Sequence, residues 1–293
     1  MRKPYLPVLP APLVRNAVEA ALLEDLGQAG DVTSLATIGP DVRASATMNV
    51  RQDGYIAGMD VARAAFAALD TGTVFEALVA DGDRVQAGQD IARITGSGRS
   101  VMGAERVALN FMMHMSGIAT HTARFVAQLE GTGAKVVCTR KTTPGLRAFE
   151  KYAVRCGGGT SHRYGLDDAV LIKDNHIAVC GGVAEAMERA LGYVGHLMAV
   201  EIEVDTLEQY YEALDAGASI VLLDNMDTDT LRQAVKTAGG AVLEASGNVD
   251  LDTVRAIGET GVNYISTSKI TMAAGTLDIG LDIKLGDQSN ELE

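Results

Sequence analysis

Short β-branched runs that end abruptly in charged or polar residues recur along the second half of the sequence. Six of them read KVVCTRK, AVLIKDNH, AVEIEVD, IVLLDN, AVLEASGN and YISTSK, all between Lys135 and Lys269. In a parallel α/β barrel the carboxyl ends of the strands surround one mouth, where the active sites of such barrels lie. The pattern therefore predicts one site built from residues that follow several different strands.

A helical segment precedes each of the last four of these runs. The segments VAEAMERALGYVG, LEQYYEALDAG, TDTLRQAVKTAGG and LDTVRAIGETG each end on a glycine, at Gly195, Gly217, Gly240 and Gly261. Glycine suits the left-handed position that follows a helix. This rhythm, repeated roughly every 20 to 30 residues, indicates βα units and a parallel sheet or barrel. Six or seven strands are recognisable, fewer than the eight of a complete barrel.

The first part of the chain has a different pattern. LVRNAVEAALLEDLG predicts an amphipathic helix that ends at Gly27. ASATMNVRQDGYIAG and TVFEALVADGDRVQAGQDIARITGS alternate apolar and polar residues around Asp-Gly and Ala-Gly turns, which predicts antiparallel hairpins. A long helix is expected from Gly103 to about Glu130. We expect a small α+β domain over residues 1–115, joined by segment 276–293, and a barrel domain over residues 116–275.

Composition restricts the class of partner. The chain has 293 residues, a net charge of −13, 4% aromatic residues and no Trp, which argues against nucleic acid and anionic membranes. Its three cysteines form no CxxC pair, so neither a disulfide framework nor a zinc site is indicated. No secretory signal and no apolar run of membrane-spanning length is recognisable. The sequence predicts a cytoplasmic protein that acts on small molecules, with a mobile polar end in DIKLGDQSNELE.

Positive charge is concentrated in one part of the sequence. Residues 135 to 176 hold eight Lys or Arg against four Asp or Glu, whereas the remainder holds 17 against 34. A basic region of this kind inside a cleft attracts a small polyanion and stabilises it once water is expelled. We therefore expect an anionic substrate.

Carboxylates follow two neighbouring strands. A period of two places Glu201, Glu203 and Asp205 on one face of AVEIEVD, and VLLDN supplies Asp224 at the next strand end. Carboxylates so close together require a lysine, a metal or a developing cation opposite them. Asp205 directly precedes a helix and is expected to cap it. Glu203 and Asp224 are the candidates for the site.

Basic residues are expected to face these carboxylates. They are Arg140 and Lys141 in CTRKTTPG, His162 and Arg163 in GGGTSHR, and Lys173 and His176 in LIKDNH. The planar guanidinium group of Arg can donate two parallel hydrogen bonds to a carboxylate or a phosphate, whereas the ammonium group of Lys acts as a compact point charge. GGGTSHR is too short for a P-loop. These basic residues would bind either a doubly anionic acid or a phosphorylated substrate.

Two other functions are consistent with the same residues. An aldolase or decarboxylase would use Lys141 or Lys173 as a Schiff base. A binding module would sense a dicarboxylate without performing chemistry, although the paired carboxylates would repel such a ligand. Fold alone does not decide between them.

The segment TRKTTPGLRAFEKYAVRCGGGTSHRYGLDDAVLIKDNHI resembles the central signature of the quinolinate phosphoribosyltransferases, also called nicotinate-nucleotide pyrophosphorylases (carboxylating). GDVTS, AERVALNFMMHMSGIAT, EIEVDTLEQ, VLLDNM, EASGN and LDIGLD extend the resemblance over nearly the whole chain. It implies an incomplete α/β barrel with a smaller α+β N-terminal sandwich domain. It also implies a head-to-tail homodimer or higher oligomer, and synthesis of nicotinate mononucleotide for NAD from quinolinate and phosphoribosyl pyrophosphate with Mg2+.

The resemblance also implies roles for individual residues. Lys141, Glu203 and Asp224 would be catalytic, with Glu203 and Asp224 near the ribose and its metal. The other substrate-binding residues would be Arg106, donated by the partner subunit, and Thr139, Arg140, His162, Arg163, Lys173, Ser246, Gly247, Asn248, Thr267, Ser268 and Lys269. Of these, Arg140, His162 and Arg163 would hold the quinolinate carboxylates, and the last six would surround the 5′-phosphate.

Three positions depart from the family pattern. Ser161 stands where Asn usually precedes His-Arg, Asn248 replaces a common Gly, and Thr267-Ser268-Lys269 replaces a VGA-like turn. A side chain in the last two places would occupy space where backbone N–H groups otherwise approach a phosphate. A related phosphoribosyltransferase-like protein of metal-transport operons is a further alternative, which the intact TRKTTPG and KDNH segments disfavour.

Overall fold

The structure is a computed structural model that describes residues 5–285. The first part of the chain forms α1 (Ala11–Leu26), α2 (Val32–Thr37), β1 (Arg43–Val50), β2 (Gly54–Tyr55), α3 (Met59–Leu69), β3 (Val74–Ala77), β4 (Arg84–Val85), β5 (Asp90–Ser97) and α4 (Gly98–Gln128). Next come β6 (Lys135–Val137), α5 (Arg147–Cys156), β7 (Val170–Ile172), α6 (Asp174–Cys180), α7 (Val183–Tyr193), β8 (Val200–Val204) and α8 (Leu207–Asp215). The last elements are β9 (Ile220–Asp224), α9 (Thr228–Lys236), β10 (Val242–Ser246), α10 (Val254–Gly258), β11 (Tyr264–Ser266), α11 (Lys269–Met272) and β12 (Ile279–Leu285).

These elements form two compact units. Within the described residues, one unit, which we call the antiparallel unit, comprises residues 5–121, 155–157 and 275–285, and the other, the parallel unit, comprises residues 122–154 and 158–274. The predicted boundary between residues 115 and 116 lies inside α4. The expectation of a mobile end falls, from residue 286 onward, outside the described residues. No helix within residues 5–285 is long and apolar enough to cross a membrane.

A four-stranded sheet in the order β12-β1-β5-β3 forms the antiparallel unit's framework. One face of β1 is buried through Ala44, Ala46, Met48 and Val50, as its alternating pattern predicts. The predicted hairpin at Asp53-Gly54 is wrong, because β1 pairs with β5 and β12, while β2 pairs with β4. The second predicted segment contains β3 and β5, which do pair antiparallel, whereas β4 between them pairs with β2.

Helix α1 ends at Gly27 as predicted, where φ is +54°. Helix α4 begins five residues earlier than the Gly103 expected from the sequence. Gly117 of α4 allows close contact with the segment that leads into β12, since a Cβ there would lie 1.9 Å from the Gly275 carbonyl oxygen. The Leu277 N–H donates to the Met113 carbonyl at 3.0 Å beside this contact.

All six runs singled out in the sequence are strands of one parallel sheet, in the order β6-β11-β10-β9-β8-β7. Helices α7, α8, α9 and α10 separate the last strands, as expected. Thr160 bridges to Val137 on the outer side of β6. Within the described residues no pairing joins β6 to β7, so the sheet is an incomplete barrel.

Three of the four predicted glycines have left-handed backbone, but only Gly217 directly follows the C-cap residue of its helix. Gly217, Gly240 and Gly261 have φ of +88°, +100° and +98°. Gly195 does not adopt this conformation: α7 is followed by Val194 in an extended conformation, and Gly195 opens a turn closed by the Met198 N–H. The expectation for Asp205 is also wrong by one residue, since the Thr206 side chain caps α8 by accepting the Gln209 N–H at 3.2 Å.

Candidate functional site

Parallel pairing brings the predicted residues to one edge of the sheet. Asp224 at the end of β9 lies beside Ser246 at the end of β10, and Ser266 of β11 lies beside Val137 of β6. Ile172 pairs with Ile202, so Lys173 and Glu203 follow at the same level. The carboxyl ends of the six strands thus form the common mouth that the sequence predicts.

The carboxylate of Glu203 has a lysine partner. Lys173 Nζ lies 2.5 Å from Glu203 Oε2, with 44% of the lysine side chain and 14% of the glutamate side chain exposed. Of the three cationic partners considered from the sequence, the structure supplies the lysine. The adjacent His176 Nδ1 accepts the Lys173 N–H at 3.0 Å and so fixes the start of α6. Lys173 is therefore anchored through its backbone while its ammonium stays accessible.

Arg140 stands close enough to Arg163 to affect the pKa of its guanidinium group. The pKa of Arg163 is lowered by burial and by the positive charge of Arg140, against the opposing charges of Asp168 and Glu201. Arg163 Nη1 donates to the Ala169 carbonyl at 3.0 Å. Over residues 5–285, the buried Nε atoms of both arginines have no hydrogen-bond partner. Two adjacent guanidinium groups with unsatisfied donors form a site that an anion with several oxygens completes.

Helix α5 holds the loop that carries Arg140 and Lys141. Arg147 Nη2 donates to the Arg140 carbonyl at 3.4 Å and Nη1 to the Tyr164 carbonyl at 3.0 Å. Thr139 accepts the Lys141 N–H at 3.0 Å, and the Lys141 carbonyl accepts the Thr271 hydroxyl at 2.8 Å. The Lys141 backbone is therefore fixed while its side chain is exposed.

The loop after β10 requires unusual backbone conformations. Gly247 has φ +96°, and a Cβ there would lie 2.2 Å from Asn225 Oδ1. Asn248, which replaces a common Gly, has φ +51°, a left-handed conformation that Asn tolerates better than most residues. Its Nδ2 donates to Asn225 Oδ1 at 3.4 Å. The departure from the family pattern therefore preserves the turn.

The segment after β11 is largely bonded within itself. The Thr267 hydroxyl donates to the Val249 carbonyl at 3.2 Å and accepts the Lys269 N–H at 3.1 Å. Lys269 Nζ lies 3.2 Å from Asp250 Oδ2, whose pKa is lowered by the Thr253 hydroxyl first and then by Lys269. Ser268 is half-buried at the start of α11. Lys269 would have to leave Asp250 to reach a phosphate.

Asp224 and Glu203 are suitable donors for a hard cation. Asp224 is half-buried, and its Oδ2 accepts Asn225 Nδ2 at 2.7 Å. Mg2+ is commonly held by one or two carboxylates together with substrate phosphates, which fits this pair. Neither residue belongs to the three-residue cluster of possible metal ligands found in the described part of the chain, which is His162, Glu201 and Glu244.

Both carboxylates of that cluster belong to buried residues. His162 Nε2 is 2.9 Å from Glu201 Oε2 and 3.7 Å from Glu244 Oε1. Burial acts to lower the pKa of His162, but the Glu201 hydrogen bond and the charges of Glu244 and Glu201 raise it. Burial and the charge of Glu201 raise the pKa of Glu244 to about 7. Sequence reasoning missed Glu244, although a charged residue inside the apolar run AVLEAS was a signal.

Two further predicted positions differ from their expected surroundings. Ser161, which stands in place of the usual Asn, has a buried hydroxyl without a partner in the described range. Arg106 lies in the antiparallel unit, exposed on α4, beside a hollow of about 200 Å³ lined also by Glu24, Asp25 and Asn110. It is the one predicted site residue outside the parallel unit.

Comparison with known families agrees with this geometry. The family model described as "Quinolinate phosphoribosyl transferase, C-terminal domain" matches residues 118–282, and the corresponding N-terminal domain model matches residues 31–116. The chain belongs to the quinolinate phosphoribosyltransferase family. The resemblance seen in the sequence is confirmed.

Other members of the quinolinate phosphoribosyltransferase family match over most of their length. A probable nicotinate-nucleotide pyrophosphorylase [carboxylating] of Bacillus subtilis (strain 168) is 42% identical over 92% of this chain and 93% of its own. The chloroplastic nicotinate-nucleotide pyrophosphorylase [carboxylating] of Oryza sativa subsp. japonica is 42% identical over 94% of this chain and 79% of its own. The crystal structure of NadC from Streptococcus pyogenes has a TM-score of 0.92 and 38% identity, covering 96% of this chain and all of the other.

Proposed function

We propose that this protein is a quinolinate phosphoribosyltransferase (decarboxylating) in the cytoplasmic, de novo synthesis of NAD. It joins quinolinate to phosphoribosyl pyrophosphate and releases nicotinate mononucleotide, CO2 and pyrophosphate. Family membership and the names of its relatives support the reaction. The observation that carries the proposal is the pair formed by Arg140 and Arg163, two neighbouring guanidinium groups with buried, unpaired Nε donors in the part of the chain described.

Quinolinate supplies what this pair lacks. Its two adjacent carboxylates offer four oxygens, which match the planar forks of two arginines better than a single small anion does. Lys141, exposed on a fixed backbone, adds a third positive charge at the same edge. We assign Arg140 and Arg163 to the substrate carboxylates and Lys141 to the carboxylate or pyrophosphate.

We assign Glu203 and Asp224 to stabilising the positive charge that develops on the ribose. Cleavage of the bond between ribose and pyrophosphate makes the anomeric carbon electron-poor, and groups placed where charge develops lower the barrier. Glu203 and Asp224 stand at adjacent strand ends for this purpose. Lys173 holds Glu203 in place and offers its ammonium to the substrate. We propose electrostatic catalysis without a covalent intermediate.

Mg2+ is the proposed cofactor, and it neutralises pyrophosphate when bound. Glu203 and Asp224 supply the carboxylate oxygens that such a cation prefers. The loops that hold Ser246, Gly247, Asn248, Thr267, Ser268 and Lys269 lie at the same edge, and we assign them to the 5′-phosphate.

A homodimer is part of the proposal. Arg106 is exposed on α4, where a partner subunit can receive it. Beside edge strand β7 the parallel unit has an open groove of about 690 Å³, lined by apolar side chains together with Arg163 and Arg189. Leu166 and Val179 at this groove are 73% and 90% exposed. A partner subunit would cover such an apolar surface.

For Lys173, the Schiff-base alternative is disfavoured by the ion pair with Glu203. An ammonium bound to Glu203 has no free electron pair with which to attack a carbonyl. Borohydride treatment with a carbonyl substrate should therefore leave Lys173 unmodified.

The decisive experiment supplies purified protein with quinolinate, phosphoribosyl pyrophosphate and Mg2+ and measures nicotinate mononucleotide and released CO2. We expect both products in equal amounts, dependent on all three additions. Arg232, an exposed residue on α9 paired with Asp229, provides a control position, since Arg232→Ala should retain full activity. Absence of product from wild-type protein would refute the proposal.

A further inference from the structure

His162 occupies an unusual position in the parallel unit. It follows Thr160, which bridges to the outer side of β6, yet its side chain reaches Glu201 on β8 and Glu244 on β10. Only 13%, 9% and 7% of these three side chains are exposed. The contacts therefore cross the interior of the incomplete barrel beneath its mouth.

Both ring nitrogens of His162 are engaged by the protein itself. Nδ1 accepts the Arg163 backbone N–H at 2.8 Å, and Nε2 lies 2.9 Å from Glu201 Oε2. A nitrogen that accepts an N–H carries no proton, so in neutral imidazole the proton is on Nε2 and is donated to Glu201. Neither nitrogen remains for a substrate carboxylate. A metal ion at Nε2 would need the electron pair that this proton occupies, so the cluster is not a metal site in this arrangement.

The peptide group between His162 and Arg163 is held at both ends. Its N–H donates to His162 Nδ1, and its carbonyl accepts Lys151 Nζ at 3.0 Å. Lys151 is fully buried on α5 and also contacts Cys138 Sγ at 3.1 Å. A buried ammonium is costly unless it is hydrogen-bonded, and the His162 carbonyl is one of the partners that satisfy it.

We propose that His162 is a positioning residue, and that Glu201 fixes its ring so that the peptide N–H and the guanidinium of Arg163 are held in place for the dianionic substrate. This deepens the proposed function, on which it rests, and it removes His162 from the residues that touch quinolinate. Glu244 is the third member of the cluster. Its Oε1 lies 3.7 Å from His162 Nε2 and has no hydrogen-bond partner within residues 5–285.

The tautomer provides a test that does not depend on catalysis. Nitrogen NMR of 15N-histidine-labelled protein, recorded at a pH where the ring is neutral, should show the His162 signal, assigned by its loss in His162→Gln, with a proton on Nε2 and none on Nδ1. Saturation with quinolinate should leave both ring nitrogens unchanged. A ring nitrogen that shifts on binding, or a proton on Nδ1 of the neutral ring in the free protein, would overturn the proposal.

Binding measurements test the coupling to Arg163. Titration calorimetry with quinolinate should give a Kd about 10-fold to 100-fold higher for Glu201→Leu, since a lost bond to a charged group has that size. Glu201→Gln keeps an acceptor oxygen for Nε2–H and should restore the Kd to within about threefold. The KM for phosphoribosyl pyrophosphate should stay constant in both variants.

A folded Glu201→Leu protein with wild-type Kd would contradict the assignment. If Glu201→Leu does not fold, Lys151→Met, which releases the other end of the same peptide group, should raise the Kd for quinolinate in its place. Failure of wild-type protein to bind quinolinate would refute the proposed function instead, and the tautomer of the free protein would still decide the role of Glu201.

Discussion

The mouth of the parallel unit brings two arginines together without giving them enough partners. Arg163 is half-buried beside Arg140, and the positive charge of Arg140 helps to lower its pKa. Nothing in the fold requires two cations to be adjacent, and their mutual repulsion opposes folding. The proposed substrate, which carries two negative charges, would offset this repulsion.

Replacing Arg163 by Lys tests whether quinolinate binding depends on the two-point hydrogen bonding of the guanidinium group or only on its positive charge. Lys keeps the positive charge but loses the Nη1 bond to the Ala169 carbonyl and the two-point geometry. We expect the KM for quinolinate to rise about 10-fold to 100-fold, because a bond to a charged group contributes about 1.5–3 kcal/mol. Steady-state kinetics of the variant measures this KM. Arg232→Lys on the exposed face of α9 is the matched control, and equal behaviour of the two variants would contradict the assignment.

Glu203 offers a second test at the residue scale. Glu203→Gln removes the negative charge while keeping the shape, so kcat should fall about 100-fold to 1000-fold if the carboxylate faces developing positive charge. The melting temperature should change little, since Lys173 is nearly half exposed and such pairs contribute little to stability. Near-normal turnover in a folded variant would exclude Glu203 from catalysis.

At the scale of elements, the loop after β10 depends on left-handed backbone at Asn248. Asn248→Ala should lower the free energy of unfolding by about 1 kcal/mol, because alanine is disfavoured at positive φ. Asn248→Gly should remain within a few tenths of a kcal/mol of wild type. Urea denaturation of the two variants measures the difference, and a stable Asn248→Ala protein would show that the loop has another conformation.

Replacing a glycine by alanine should change stability in opposite directions in helices α4 and α7. Gly117→Ala in α4 would place a Cβ 1.9 Å from the Gly275 carbonyl oxygen, so stability should fall by about 3 kcal/mol or more. Gly192 in α7 has no atom within 4 Å of its ideal Cβ, so Gly192→Ala should stabilise by about 0.5 kcal/mol. Thermal unfolding of both proteins checks the pair. A tolerated Gly117→Ala would mean that the segment before β12 packs differently.

The limits of sequence prediction are visible in particular elements. The six parallel strands were predictable because each β-branched run ends in polar residues, and the ion pair of Lys173 with Glu203 follows from strand ends at one edge. The partner of β1 was not predictable, because pairing with β5 and β12 depends on distant parts of the chain. Glu244 and the ring contacts of His162 were missed for the same reason: they join residues that are far apart in the sequence.

At the scale of the whole molecule, the proposal makes the active site a property of the dimer. The cations that we assign to quinolinate belong to the parallel unit, whereas Arg106 belongs to the antiparallel unit and is exposed. In a head-to-tail dimer, each site would combine one subunit's Lys141 with the other subunit's Arg106. A variant that lacks either residue should therefore be inactive alone, for a different reason in each case.

Mixing the two inactive variants separates a shared site from a self-contained one. A heterodimer of Arg106→Ala and Lys141→Ala has one site with both substitutions and one site with neither. Random reassociation of equal amounts makes half of the dimers mixed, so activity should return to about a quarter of wild type. A site confined to one chain would stay inactive in every combination, because each chain carries a lesion. Recovery measured after subunit exchange, against the unmixed variants as controls, therefore decides whether Arg106 acts across the interface.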